Sequence, residues 1–235
     1  TLRNSSAASD VYKRQQDDSH LFVTPEQLDA EFLSVVDLTL FVFKNLQLHD
    51  FKARLSFRDP NLDKYIGSDE AWEKAQGAIR RAVEKMGMEH FEGIGEAAFY
   101  GPKLDFIFQD ALEREWQLGT VQVDYNLPER FDLEYVAEDG IRKRPVMIHR
   151  APFGSLERLI GILIEQYAGD FPLWLSPTQV KLLPVNSQFL PFAQKVTEQM
   201  RQVGIRAEVD ISNERLGKLI PVSYTHLRAH ETFAN

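Results

Sequence analysis

The sequence predicts an α+β protein: an antiparallel sheet flanked by helices, followed by the start of a smaller α/β domain. Three observations predict it. Two long helix-period segments precede residue 88, strand-period runs separated by turn signals fill 89–149, and a strand–helix–strand succession follows Pro172.

In "TPEQLDAEFLSVVDLTLFVFKNL", Thr24 stands as N-cap, Pro25 at the first helical position and Gln27 at the third, a capping box that opens a long helix. "FKARLSFRD" alternates strictly, with Phe51, Ala53, Leu55 and Phe57 on one face of a half-buried strand. "SDEAWEKAQGAIRRAVEKMG" has an acidic first turn and stops at Gly87, which makes it a second helix. The runs "KLDFIFQD", "EREWQLGTVQVDY", "RFDLEYVA" and "RKRPVMIH", with Glu138-Asp139-Gly140 as a turn, predict a hairpin-connected antiparallel sheet.

Next comes "MIHRAPFGSLERLIGILIEQY". Its Leu156, Leu159, Ile160, Leu163, Ile164 and Tyr167 fall at helix steps of three and four, so that face is predicted to be core. Ser155 is the expected N-cap, with Gly154 turning the chain into it. Pro172 closes this unit. "TQVKLLPV", a helix over roughly 188–203 ending at Gly204, and "IRAEVD" then form a βαβ unit, hence a second domain. The domains read as 16–172 and 173–220. Segments 1–15 and 221–235 carry no apolar period and read as foreign, in the manner of translated adaptor sequence at the ends of assembled fragments.

At 235 residues the chain holds one large domain or one and a fraction, and 43% hydrophobic with 26% charged residues describes a soluble globular protein. It has no run of 18 apolar residues and no charged-then-apolar leader, so neither a membrane span nor export is expected. The absence of cysteine removes any disulfide framework and fits a reducing, cytoplasmic compartment. A net charge of −8 argues against bulk non-specific nucleic-acid binding and leaves a local basic face open.

Several residues could carry chemistry. Arg158 sits in the first turn of a helix, where the dipole disfavours a cation; it is either a tolerated surface charge or the partner of an anion. Asp18 and His20 share one side of an extended segment, and His149 ends another strand. The three could share a zinc ion, or the histidines could be ordinary core residues. His226 and His230 have metal-like spacing, but Leu227 stands where a zinc protease needs glutamate. "GIGEAA" at 93–98 matches a dinucleotide pattern, yet a strand-like run follows it, so a turn is expected. Gln117 and Gln122 have opposite parity on one strand and face one cavity only if Gly119 admits a bulge. Taken alone, Tyr100 and Lys103 in "FYGPK" read as turn residues.

Six segments in this order, "QDDSHLF", "YIGSDEAWEKA", "GEAAFYGPKLDF", "WQLGTVQVDYNLPERF", "PVMIHRAPFGSLERLIGILIE" and "FPLWLSPTQVKLLPV", together resemble the threonyl-tRNA synthetase family over roughly residues 16–220. The resemblance implies a class II synthetase catalytic domain followed by an α/β anticodon-binding domain, and ATP-dependent activation of threonine with transfer to threonine tRNA. "GSLER" matches the third class motif, so Arg158 is implied to grip ATP phosphates, with Lys103 and Gln117 as further catalytic residues. Gln16, Asp18, Tyr100 and Gln122 are implied to bind substrate, and Gln117, Ser155 and Arg158 to bind ATP. His20 and His149 match the family's zinc-binding histidines, Asp18 the carboxylate that receives the threonine hydroxyl, and Mg2+ is implied with ATP. A homodimer is implied for the full-length parent.

This sequence also departs from the family. The third zinc ligand is a cysteine there, and this chain has none. The first motif, the arginine-bearing strand of the second and the editing domain do not match any part of the chain, which implies a fragment, inactive as given. Two other function classes stay open: a non-catalytic nucleotide-binding or regulatory paralogue that keeps Arg158 without zinc, and a zinc hydrolase using His20 and His149. The "GSLER" helix start speaks against the hydrolase, which needs no triphosphate grip.

Overall fold

A computed structural model describes residues 15–110, 112–212, 214 and 217–221. The reading of the two terminal segments as foreign, and the His226–His230 pair, lie outside these residues apart from Gln15 and Pro221. Gln15 is bonded into the fold: its carbonyl accepts from the Leu156 N–H at 2.9 Å and its N–H donates to Glu157 Oε1 at 3.1 Å. The chain divides into two units, one through Leu163 and one from Ile164.

The first unit is built on a six-stranded sheet. Its strands are β1 (Ser19–Val23), β2 (Phe51–Phe57), β3 (His90–Ile94), β4 (Lys103–Gln109), β5 (Glu115–Asp124) and β8 (Val146–Ala151). They lie in the order β1-β8-β5-β4-β2-β3. Every neighbouring pair is antiparallel except β2 with β3, which is parallel. The sheet is antiparallel as expected except at this one edge pair. The chain between β2 and β3 is occupied by a helix, α2 (Asp69–Met86), and a helical crossover returns the next strand in the same direction. "GIGEAA" leaves β3 into turns, with no helix behind it, as expected.

Two further expected sheet strands lie elsewhere. β6 (Tyr135–Val136) and β7 (Arg142–Lys143) form a separate two-stranded ribbon around the Glu138-Asp139-Gly140 turn. Pro145, which has no N–H for a ladder, separates that ribbon from β8. A short helix that sequence patterning missed, α3 (Asn126–Arg130), follows β5; the Asp124 carboxylate accepts from the Asn126 and Leu127 N–H groups at its start.

The first helix, α1 (Leu28–Asn45), begins later than the capping box suggested, because residues 25–27 form a turn. The reciprocal half of the box is present: Gln27 Oε1 accepts from the Thr24 N–H at 3.0 Å. α2 behaves as patterned, with Ser68 Oγ accepting from the Ala71 N–H and Gly87 ending the helix in the left-handed region.

Both helices cover one face of the sheet. Phe32, Val36 and Phe43 of α1 and Trp72, Ile79 and Val83 of α2 are buried with Ala53, Leu55 and Phe57 of β2. Phe43, Phe51 and Phe106 stack edge to face at 5.3 to 5.6 Å between ring centroids. Strand alternation sends the intervening residues Arg54, Ser56, Lys103 and Asp105 to the opposite face.

α4 (Leu156–Tyr167) corrects the predicted core stripe. It buries Leu159, Ile162 and Leu163, whereas Ile160 and Ile164 are 55% and 49% exposed. The helix is apolar over most of its circumference, so spacing alone could not set its rotation. The second unit is the expected βαβ: β9 (Val180–Leu182) and β10 (Ala207–Val209) are parallel and joined through α5 (Leu190–Gln202).

Candidate active site

On the sheet face away from α1 and α2, the first unit contains a cavity of about 250 Å³. All the predicted site residues line it except His20: Gln16, Asp18, Tyr100, Lys103, Gln117, Gln122, His149, Ser155 and Arg158. His20 is the cross-strand partner of His149, and their rings meet edge to face with centroids 4.6 Å apart.

The two glutamines reach one cavity through a bulge, as Gly119 suggested. Thr120 pairs with Asp105 and Gln117 with Ile107, so β5 advances three residues while β4 advances two. A side chain at Gly119 would place its Cβ 2.5 Å from the Pro152 carbonyl oxygen and 3.1 Å from Thr39 Cγ2.

The turn into α4 is equally constrained. Gly154 has φ 68°, and a Cβ there would come within 2.5 Å of the Leu118 carbonyl oxygen. Asp17 holds the turn by accepting from the Gly154 N–H at 2.9 Å and the Phe153 N–H at 3.1 Å. Burial raises its carboxyl above the ordinary value, against those two bonds and with a smaller push from the Asp18 charge. Ser155 caps α4, its Oγ 3.5 Å from the Arg158 N–H. Gln16 bridges to Ser155, which brings the segment before β1 to the mouth of the site.

Arg158 is exposed. Its Nη1 donates to the Gln117 carbonyl at 2.7 Å and its guanidinium lies 5.6 Å from the Trp116 ring centroid. Tyr100 donates from its hydroxyl to Gln122 Oε1 at 2.9 Å. Burial first, then the Asp124 and Asp18 charges, push the Tyr100 hydroxyl above its usual value, so it stays a proton donor through neutral pH.

Sequence reasoning missed the groups behind this lining. Asp124, fully buried, is hydrogen-bonded through Oδ2 to His149 Nε2 at 2.9 Å. Asp105, also fully buried, gathers Arg54, Ser56, Lys103, Gln117 and Thr120 around one carboxylate. A signal was available: a carboxylate inside "KLDFIF" must find partners if that strand is buried.

The residues present do not complete a zinc site. His20 and His149 offer two imidazoles, the chain has no cysteine, and among the described residues no three His, Cys, Asp or Glu side chains are grouped to hold a metal. A catalytic zinc takes three protein ligands and keeps one position open. Among the described residues no helix is long and apolar enough to cross a membrane.

The site and fold can be set beside known proteins. Residues 11–167 match the model of the tRNA synthetase class II core domain (G, H, P, S and T), and residues 179–221 match that of the anticodon binding domain. The threonine–tRNA ligase of Synechocystis sp. is 80% identical over 204 residues, 87% of this chain and 34% of that protein. The threonine–tRNA ligase of Thermosynechococcus vestitus is 77% identical over the same shares. The chain thus spans about a third of the length of the curated relatives it matches. Among solved structures, the RNA binding domain of threonyl-tRNA synthetase from Cryptosporidium parvum Iowa II is 36% identical with a TM-score of 0.81, over 91% of this chain and 53% of that one. With its mixed sheet, its flanking helices and a core match over most of its length, the chain belongs to the class II tRNA synthetases, and anticodon-binding-domain sequence follows its core.

Proposed function

We propose that this chain is part of a threonine–tRNA ligase, which activates threonine with ATP and transfers it to threonine tRNA. The observation that carries the reading is the meeting of nine separately placed residues, from Gln16 to Arg158, around one polar cavity, in a chain 80% identical to a threonine–tRNA ligase.

In this reading the threonine carboxylate attacks the α-phosphate of ATP, pyrophosphate leaves, and a tRNA ribose hydroxyl then attacks the adenylate with loss of AMP. Arg158 and the α4 N-terminus stabilise phosphate charge, with Mg2+ accompanying ATP. Ser155 and Gln117, each hydrogen-bonded to Arg158, serve ATP, while Lys103 supplies a second cation. Gln16, Tyr100 and Gln122 bind threonine, and Asp18 receives its hydroxyl. A site built for that hydroxyl leaves polar groups unpaired when valine enters, which rejects the near-isostere. His20 and His149 belong to a zinc site whose third protein ligand is not in this chain, and no step is assigned to the metal.

The full-length protein is a homodimer of the cytoplasm in this proposal. The domains run 16–172 and 173–220 in this proposal, and 1–15 and 221–235 are foreign except for residues 11–15, which fall within the core-domain match and of which Gln15 is bonded into the fold. The test is amino-acid-dependent pyrophosphate exchange by the full-length ligase containing this chain. Threonine should support exchange and valine should not. Exchange that is equal with the two, or absent with both, would end the proposal.

A further inference from the structure

The Asp105 carboxylate lies beneath the cavity without lining it, and its side chain is fully buried. Its two oxygens serve different partners. Oδ2 accepts from Ser56 Oγ at 2.6 Å, Arg54 Nη2 at 3.0 Å and Lys103 Nζ at 3.0 Å. Oδ1 accepts from Gln117 Nε2 and Thr120 Oγ1, both at 2.8 Å.

These bonds define what Gln117 can offer a ligand. A glutamine amide has two N–H donors and two acceptor lone pairs. One Gln117 N–H goes to Asp105 Oδ1 at 2.8 Å, and the other to Thr120 Oγ1 at 2.9 Å. Gln117 Oε1 accepts from Arg54 Nη2 at 3.1 Å, which leaves one lone pair. Gln117 therefore faces the cavity as an acceptor. Gln122 is set the other way: its Oε1 takes the Tyr100 hydroxyl, and its amide nitrogen has no protein partner among the described residues.

We propose that Asp105 is a positioning residue, which fixes the Gln117 amide as an acceptor toward the substrate and tethers the Lys103 ammonium beside it. A ligand in this cavity then meets an acceptor at Gln117 and a donor at Gln122. That pairing suits bound groups that present a donor to Gln117 and an acceptor to Gln122, as the nucleotide and the amino acid of the proposed reaction can. An asparagine at 105 puts an NH2 where at least one of five donors now points, so the Gln117 amide turns over and presents the wrong pole. This assignment of the ligand rests on the synthetase reading; the hydrogen-bond pattern does not.

Two measurements test it. In the 235-residue chain, the side-chain NH2 protons of Gln117 should exchange with solvent on the order of tenfold more slowly than those of exposed Gln202, and Asp105→Asn should abolish the difference. Exchange at the Gln202 rate in the unsubstituted chain overturns the proposal. In the full-length ligase, Asp105→Asn should lower kcat for adenylate formation by about tenfold or more with KM for ATP changed less. Added to Gln117→Ala it should cost only about threefold further, because the two residues act as one unit. Multiplicative losses would mean that Asp105 merely supports the fold. Failure of the unsubstituted enzyme to use threonine would end the functional reading and leave the exchange experiment standing.

Discussion

Arg158 is laid back across β5: its Nη1 donates to the carbonyl of Gln117 at 2.7 Å. The same guanidinium rests over Trp116. A cation in the first turn of a helix opposes the dipole, and here the exposed side chain lines a polar cavity. In the proposed ligase this is where a phosphate anion would meet it.

Arg158→Ala should therefore damage ATP use far more than folding. The side chain is exposed and lies off the Leu159, Ile162 and Leu163 stripe, so little core is lost. Removing one charge-stabilising donor typically lowers the rate by about 10²–10³. ATP-dependent pyrophosphate exchange in the full-length ligase measures the first effect and urea unfolding of the variant measures the second. Unchanged exchange would reduce Arg158 to a surface charge.

Asp18→Asn should narrow amino-acid discrimination. It keeps the shape of the side chain and removes the charge proposed to receive the threonine hydroxyl. Threonine-dependent exchange should fall steeply while valine, which lacks the hydroxyl, changes little. A threonine-to-valine ratio that does not move would show that Asp18 does not read the hydroxyl.

Gly119→Ala should disturb both fold and site. The added carbon meets the Pro152 carbonyl oxygen at 2.5 Å, a backbone atom that cannot swing aside. Overpacking of this kind costs about 1–3 kcal/mol, read from the urea midpoint at unchanged m-value. Because the bulge brings Gln117 and Gln122 to one cavity, activity should fall beyond what the stability loss explains.

Asp110 gives a pH-dependent prediction. Burial pushes its carboxyl up, but bonds from the Trp116 indole, the Arg114 N–H and guanidinium and the Leu112 N–H hold it well below the usual carboxylate range. A depressed carboxylate stabilises the fold above its unfolded value of about 3.9, and the contribution fades as pH falls toward the folded value. Asp110→Asn should lower the melting temperature at pH 7, and the gap from the parent should shrink steadily below about pH 3.9. A gap that is constant down to pH 2.5 would contradict the assignment.

Much of this was legible from local pattern. α2 announces itself by its acidic start and Gly87, and strand parity shows that Gln117 and Gln122 share a cavity only through a bulge at Gly119, which is present. What escaped reading depends on partners distant in sequence. The parallel direction of β3 is decided by where the α2 crossover delivers the chain. The rotation of α4 is decided by which neighbour covers it, since Ile160 and Ile162 are equally apolar candidates. The Asp105 cluster draws Arg54 from 51 residues away, and no local period encodes such a meeting.

Residues 15–23 are joined to the rest almost entirely through β8 and the start of α4, with Ser19 bonded to Arg150 across 131 positions. Strand β1, which carries His20 and leads directly from Asp18, therefore has nowhere to dock while β8 is still being made. At a synthesis rate of about 5–20 residues per second, the nascent segment waits roughly 7–26 s for its partner. During that interval it exposes an unpaired edge and the side chain of Val23, which is buried in the folded protein, a natural target for chaperone binding. Asp18 and His20 thus reach the site only once β8 and the start of α4 exist, and slowing translation between residues 24 and 146 should lengthen the time for which β1 stays unpaired.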